Sequence, residues 1–60
     1  MESNDFISGY NYVKFHSPLL RILSKKDLQG LIHCFERDNS DNTNGMIQAI
    51  KEHIEEMENE

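Results

Sequence analysis

The chain has 60 residues, a formal net charge of −5 and a hydrophobic share of 37%. This length allows one domain at most, whose small core is marginally stable alone, and the single cysteine, Cys34, excludes an intramolecular disulfide. No apolar run approaches the length of a membrane span, so we expect one small domain over residues 1–60 that is stabilised by association with itself or with another protein. The lone thiol and the lack of a signal-like segment favour a cytoplasmic protein.

The N-terminal third carries the least decisive pattern. Residues 1–9 are polar apart from Phe6 and Ile7, which predicts a loosely ordered tail. Residues 10–16 (Tyr-Asn-Tyr-Val-Lys-Phe-His) are rich in β-formers, with apolar and polar side chains in alternation, and this indicates a short strand. Ser17-Pro18 is instead a typical helix start, and four apolar residues follow it. Residues 10–23 are therefore predicted to form a short helix or a short strand.

A helix is predicted over residues 25–37. Ser24, followed three residues later by Asp27, resembles a capping box. The apolar residues behind this cap recur at spacings of three, one and three, which places them on one helical face: Leu28, Leu31, Ile32 and Phe35.

A second helix is predicted over residues 46–57. Residues 38–45 (Asp-Asn-Ser-Asp-Asn-Thr-Asn-Gly) are turn formers and predict a polar loop before it. Ile50, Ile54 and Met57 then share one face. Residues 57–60 predict a fraying acidic tail, since glutamates oppose the macrodipole at a helix C-terminus. Two amphipathic helices joined by a short loop predict an antiparallel hairpin within a mostly α fold.

No group of residues in the sequence has the spacing that catalysis or metal binding requires. His33 and Cys34 are adjacent, and neighbouring side chains on a helix diverge by about 100°. The sequence has no paired-cysteine motif and no glycine-rich phosphate loop. We therefore expect a non-enzymatic protein without a metal or cofactor.

Two sets of side chains in the N-terminal half are candidates for binding. Aromatic and aliphatic anchors typical of protein interfaces form the first set: Tyr10, Tyr12, Phe15, Leu19, Leu20 and Leu23. Four cations in an acid-free stretch form the second set, which could contact phosphates: Lys14, Arg21, Lys25 and Lys26.

Two family patterns are similar to parts of this sequence. The apolar residues Leu28, Leu31, Phe35, Met46, Ile50 and Ile54 resemble in spacing the two helices of the ribbon-helix-helix repressors, over residues 23–56. That resemblance implies an intertwined dimer whose paired strands enter the DNA major groove. The segment before the first helix, however, carries only Arg21 as a polar residue, whereas a DNA-reading strand alternates.

The second pattern is the SAP-type helix-loop-helix, whose apolar frame looks like Leu23, Leu28, Leu31, Gly45, Ile50 and Ile54. Met46-Ile47 stand where that motif normally carries lysines. Both similarities follow the general periodicity of helices, and neither identifies a family.

The sequence thus favours a small acidic regulatory protein that acts by protein–protein binding, as an inhibitor or adaptor of a larger protein. The alternative is a dimeric ribbon-helix-helix-like DNA-binding regulator or antitoxin. We expect a homodimer or a complex with another protein. Nucleic acid is disfavoured by the negative charge, and no membrane association is expected.

Overall fold

The computed structural model describes residues 3–16, 20 and 22–59, in which three helices follow one another along the chain: α1 (Asn4–His16), α2 (Lys25–Phe35) and α3 (Asp41–Glu58). Helix α1 packs against α3. The described residues contain no strand, and the prediction of a mostly α protein is confirmed.

Helix α1 occupies the region where alternation indicated a strand over residues 10–16, so that strand prediction is wrong. The inward positions are Phe6, Gly9, Tyr10 and Val13, whose spacing of three, one and three is that of a helix. The period becomes visible only when residues 6–9 are included, and these form the first turns of α1 although the sequence indicated a loose tail. The hydroxyl of Ser3 accepts a hydrogen bond from the Phe6 backbone N–H at 3.1 Å, which caps the helix. Residues 17–19 and 21 of the predicted element lie outside the described residues.

Serine caps begin both remaining helices. The Ser24 hydroxyl accepts from the Asp27 backbone N–H at 3.3 Å, as the capping box predicted. The Ser40 hydroxyl accepts from the Thr43 N–H at 3.2 Å, so α3 begins at Asp41 and residues 41–45 are helical rather than part of the predicted loop. Residues that favour turns also favour the first turn of a helix when a serine precedes them. The connection between α2 and α3 is correspondingly short.

The principal helix pair is α1 with α3, and the contact between α2 and α3 is smaller. The predicted hairpin of α2 and α3 is therefore not confirmed as the organising unit. Two glycines explain the close approach of α1 and α3. A Cβ atom at Gly9 would overlap the backbone carbonyl of Asn42, and a Cβ atom at Gly45 would overlap that of Phe6. Only glycine leaves room for these backbones to cross at this separation.

All three helices contribute to one core. Its buried hydrophobic residues are Val13, Leu28, Ile32, Ile47, Ala49, Ile50 and Ile54. Leu28 of α2 and Ile50 of α3 have no exposed surface. The helical faces predicted from the sequence thus supply the core, with Val13 of α1 in addition.

Candidate functional site

A groove of about 440 Å³ lies between the three helices. We call it the central groove. Its apolar lining comes from Val13, Leu20, Leu28, Ala49 and Ile50. Its polar lining comes from Tyr10, Lys14, Glu52, His53 and Glu56, and Phe15 borders it at the end of α1. The volume falls within the range of about 300–1,000 Å³ seen for ligand-binding cavities.

A chain of hydrogen bonds connects α1 to α3 along one wall of the groove. The Tyr10 hydroxyl donates to Glu52 Oε1 at 2.6 Å and accepts from Lys14 Nζ at 3.1 Å. The amide of Gln48 donates to the second carboxylate oxygen of Glu52 at 3.3 Å. The Lys14 ammonium also lies 5.2 Å from the centre of the Tyr10 ring, within reach of a cation–π attraction. These contacts fix the positions of four polar side chains.

The same contacts change the acidity of two groups. The hydrogen bond from Tyr10, followed by that from Gln48, lowers the pKa of Glu52 below its ordinary value of 4.5. The hydrogen bond with Tyr10 is the main cause that raises the pKa of Lys14 above 10.5, and the nearby Glu52 and Glu56 add to it. Glu52 and Lys14 are consequently both charged at neutral pH.

Glu56 differs from Glu52 in having no fixed partner. It is exposed on the groove rim, one helical turn beyond Glu52, and it makes no hydrogen bond or direct ion pair within the described residues. Glu58 is paired with Lys25 of α2. Glu56 is therefore a carboxylate at the groove that remains available to a cationic ligand.

His53 places an unsatisfied polar atom in the groove wall. Its Nε2 atom is buried and has no hydrogen-bond partner in the described part of the chain. An unpaired buried polar atom costs about 1–3 kcal/mol.

The candidate interface residues lie in two different environments. Tyr12 and Phe15 are exposed to 54% and 68%, on the outer side of α1. Tyr10, Leu20 and Leu23 are partly buried and pack against the core. Leu19 lies outside the described residues. The structure therefore brings Tyr10, Phe15 and Leu20 to the central groove, while Tyr12 lies one turn before Phe15.

The candidate phosphate contacts do not form one basic surface in the described residues. Lys14 is held by Tyr10 beside two glutamates, and Lys25 is paired with Glu58. Lys26 is exposed, and Arg21 lies outside the described residues. Carboxylates thus lie next to two of the four cations, which weakens attraction to phosphate.

Several site residues were absent from the sequence-based candidates. Ile7 and Ile22 are exposed to 45% and 78%. Glu56 and His53 line the groove about one helical turn from Glu52 and Ile50, respectively. The helical period of α3 could have indicated that these two residues share a face with Glu52 and Ile50. The facing glycines carry no comparable signal in the sequence.

The remaining reactive side chains are dispersed. Cys34 is exposed. Among the described residues, no three His, Cys, Asp or Glu side chains are grouped so that they could hold a metal ion. None of the three helices in this part of the chain combines the length and hydrophobicity needed to cross a lipid bilayer.

Comparison with known proteins gives no relative. No protein-family model, curated protein or solved structure matches this chain.

Proposed function

We propose that this protein is a small, non-enzymatic regulatory protein that acts by binding another protein, as its inhibitor or adaptor. The observation that carries the proposal is the exposure of large apolar side chains on α1 and before α2, of which Phe15 borders the central groove. Tyr12, Phe15 and Ile22 are more than half exposed. Exposed aromatic and aliphatic side chains of this kind are typical anchors of protein interfaces, and aromatic anchors commonly dominate the binding energy.

The surroundings of these anchors support binding more than catalysis. Three polar side chains of the groove wall are tied to one another in the Lys14–Tyr10–Glu52 chain, and none of these three is a nucleophile beside a free base. The groove is bordered by exposed side chains, so a small substrate would remain in contact with water. A surface of this shape suits a partner that covers it.

Replacing the anchor at the end of α1 tests this function. The full chain, immobilised through a C-terminal tag, is used to capture proteins from the lysate of its host, in parallel with Phe15→Ser and with the matched control Asn11→Ser. Both residues are exposed on α1, so both variants keep the fold. We expect one protein to be retained by the parent chain and by Asn11→Ser and lost with Phe15→Ser. Equal retention by all three would contradict the role of this surface.

The alternative, a dimeric DNA-binding regulator or antitoxin, is tested on the parent chain and on a variant in which Lys25 and Lys26 are both changed to alanine. A gel-shift titration on random duplex DNA at low salt should show no retarded band, because the net charge is −5 and two of the candidate cations lie beside carboxylates. A band that disappears when Lys25 and Lys26 are both changed to alanine would favour the alternative.

We also propose that the chain self-associates in the cytoplasm when its partner is absent, because a core of this size is marginal and Cys34 cannot form an internal disulfide. Analytical ultracentrifugation over a hundredfold dilution tests self-association, because dilution shifts an association equilibrium toward the monomer. A folded monomer at every concentration would contradict it.

A further inference from the structure

The charged side chains that line the central groove indicate the charge of the partner, which the exposed apolar anchors do not. We propose that it binds a cationic amphipathic segment of the partner, with an apolar side chain on the groove floor and a lysine or arginine against Glu56. This inference rests on the proposed protein-binding function and specifies the chemistry of the partner.

The floor of the groove selects for an apolar side chain. Leu28 and Ile50 have no exposed surface, and Ala49 is 5% exposed, so these walls are rigidly packed. Phe15 borders the same groove and is 68% exposed. An entering aliphatic or aromatic side chain would contact the exposed Phe15 ring and the half-buried Leu20 of the apolar lining, and it would remove their accessible surface from water.

The rim of the groove selects for positive charge. Glu52 and Glu56 lie on α3, and the basic Lys14 opposite them is already hydrogen-bonded to Tyr10. Glu56 makes no hydrogen bond or direct ion pair in the described residues, and the nearby Lys14 is hydrogen-bonded to Tyr10 instead. Two carboxylates against one ammonium leave the rim acidic, and the whole chain carries −5. Complementary charge then favours a basic partner.

A second copy of this chain fits the groove less well than a basic segment does. A second copy seated in this groove would bring a chain of −5 against the acidic rim formed by Glu52 and Glu56, and like charges oppose that contact, whereas self-association through another face does not involve the rim. A small molecule also fits less well, because ligand pockets usually bury about 70–90% of the ligand, whereas Lys14, Phe15 and Glu56 leave one side of this groove exposed.

The test uses the ¹⁵N-labelled full chain and three synthetic helical peptides of equal length, built from leucine and lysine, leucine and glutamate, or serine and lysine. Amide chemical shifts are followed by NMR. We expect saturable shifts at Ala49, Ile50 and Glu56 with the leucine–lysine peptide. Binding of the other two peptides should be weaker by at least about tenfold, since each lacks either the charge or the apolar contact.

Two variants distinguish binding of the peptide in the groove from general attraction between opposite charges. Glu56→Lys and Glu55→Lys change the net charge equally, but only Glu56 lines the groove, and both residues are exposed. Glu56→Lys should weaken binding of the leucine–lysine peptide about tenfold more than Glu55→Lys does. Equal weakening, equal binding of the leucine–glutamate peptide, or no shifts in the groove would each overturn the proposal.

The outcomes also distinguish this inference from the function on which it rests. If the peptides leave the groove unchanged while Phe15→Ser still abolishes capture of a protein, the partner binds without filling the groove. If the shifts depend on the concentration of the chain alone, a second copy occupies the groove. Both outcomes contradict the proposed cationic segment, and the first leaves the protein-binding function intact.

Discussion

The crossing of α1 and α3 at two glycines predicts that alanine at Gly45 destabilises the fold. A β-carbon there would overlap the backbone carbonyl of Phe6 and approach the backbone nitrogen of Tyr10. These atoms belong to the helix backbone, so no side-chain rotation relieves the overlap. Helix α1 must move away from α3, and the packing of Val13 on the core would loosen as a result.

Two opposing effects determine how much Gly45→Ala changes the free energy of unfolding. Alanine is a better helix former than glycine by about 1 kcal/mol. Overpacking costs about 1–3 kcal/mol in ordinary cores, and loss of a buried valine contact costs up to about 1.5–3 kcal/mol more. We therefore expect Gly45→Ala to lower the free energy of unfolding by about 2 kcal/mol. For a domain of this size, that lowers Tm by about 8–16 °C.

Gly30→Ala is the matched control for thermal melting followed by circular dichroism. Gly30 lies within α2, and a β-carbon there would have no neighbour within 4 Å. Only the gain in helix propensity remains, so this variant should be more stable by about 1 kcal/mol. If Gly45→Ala raised Tm as Gly30→Ala is expected to do, the close crossing of α1 and α3 would be refuted.

Three further substitutions test individual polar contacts by the same melting assay. Tyr10→Phe should lower Tm at neutral pH, because it removes the hydrogen bond to Glu52. The pKa of Glu52 in the folded protein is below 4.5, so the stability supplied by this hydrogen bond is present above pH 4.5 and is lost as the pH falls through the lowered pKa. The Tm values of the parent and the variant should therefore converge in acid, and a constant difference would contradict this assignment. His53→Leu removes a buried nitrogen without a partner among the described residues and should raise stability by about 1 kcal/mol, whereas a lower Tm would mean that the imidazole is satisfied. Ser40→Ala removes the cap that accepts from the Thr43 N–H and should cost about 1 kcal/mol, and an unchanged Tm would show that this cap is dispensable.

The elements whose signal is local can be predicted from the order of residues alone. The apolar period of Leu28 and Ile32 and the serine at position 24 predicted α2 to within two residues at its C-terminal end. The period of Ile50 and Ile54 predicted the buried face of α3. Such patterns can be read directly because a helix repeats within a few residues and its cap is adjacent in the chain.

The association of the helices and the position of the groove depend instead on contacts between segments that are distant in the chain. Gly9 and Gly45 are far apart in sequence, and their meeting makes α1, rather than α2, the main partner of α3. Residues 10–16 alternate like a strand, but the pairing partner that a strand requires is absent from the described residues, and α3 offers a face for a helix instead. The groove wall likewise depends on the hydrogen bond between the Tyr10 hydroxyl and Glu52 Oε1, which lie 2.6 Å apart. The two residues belong to distant segments, and no local pattern specifies that these segments pack together.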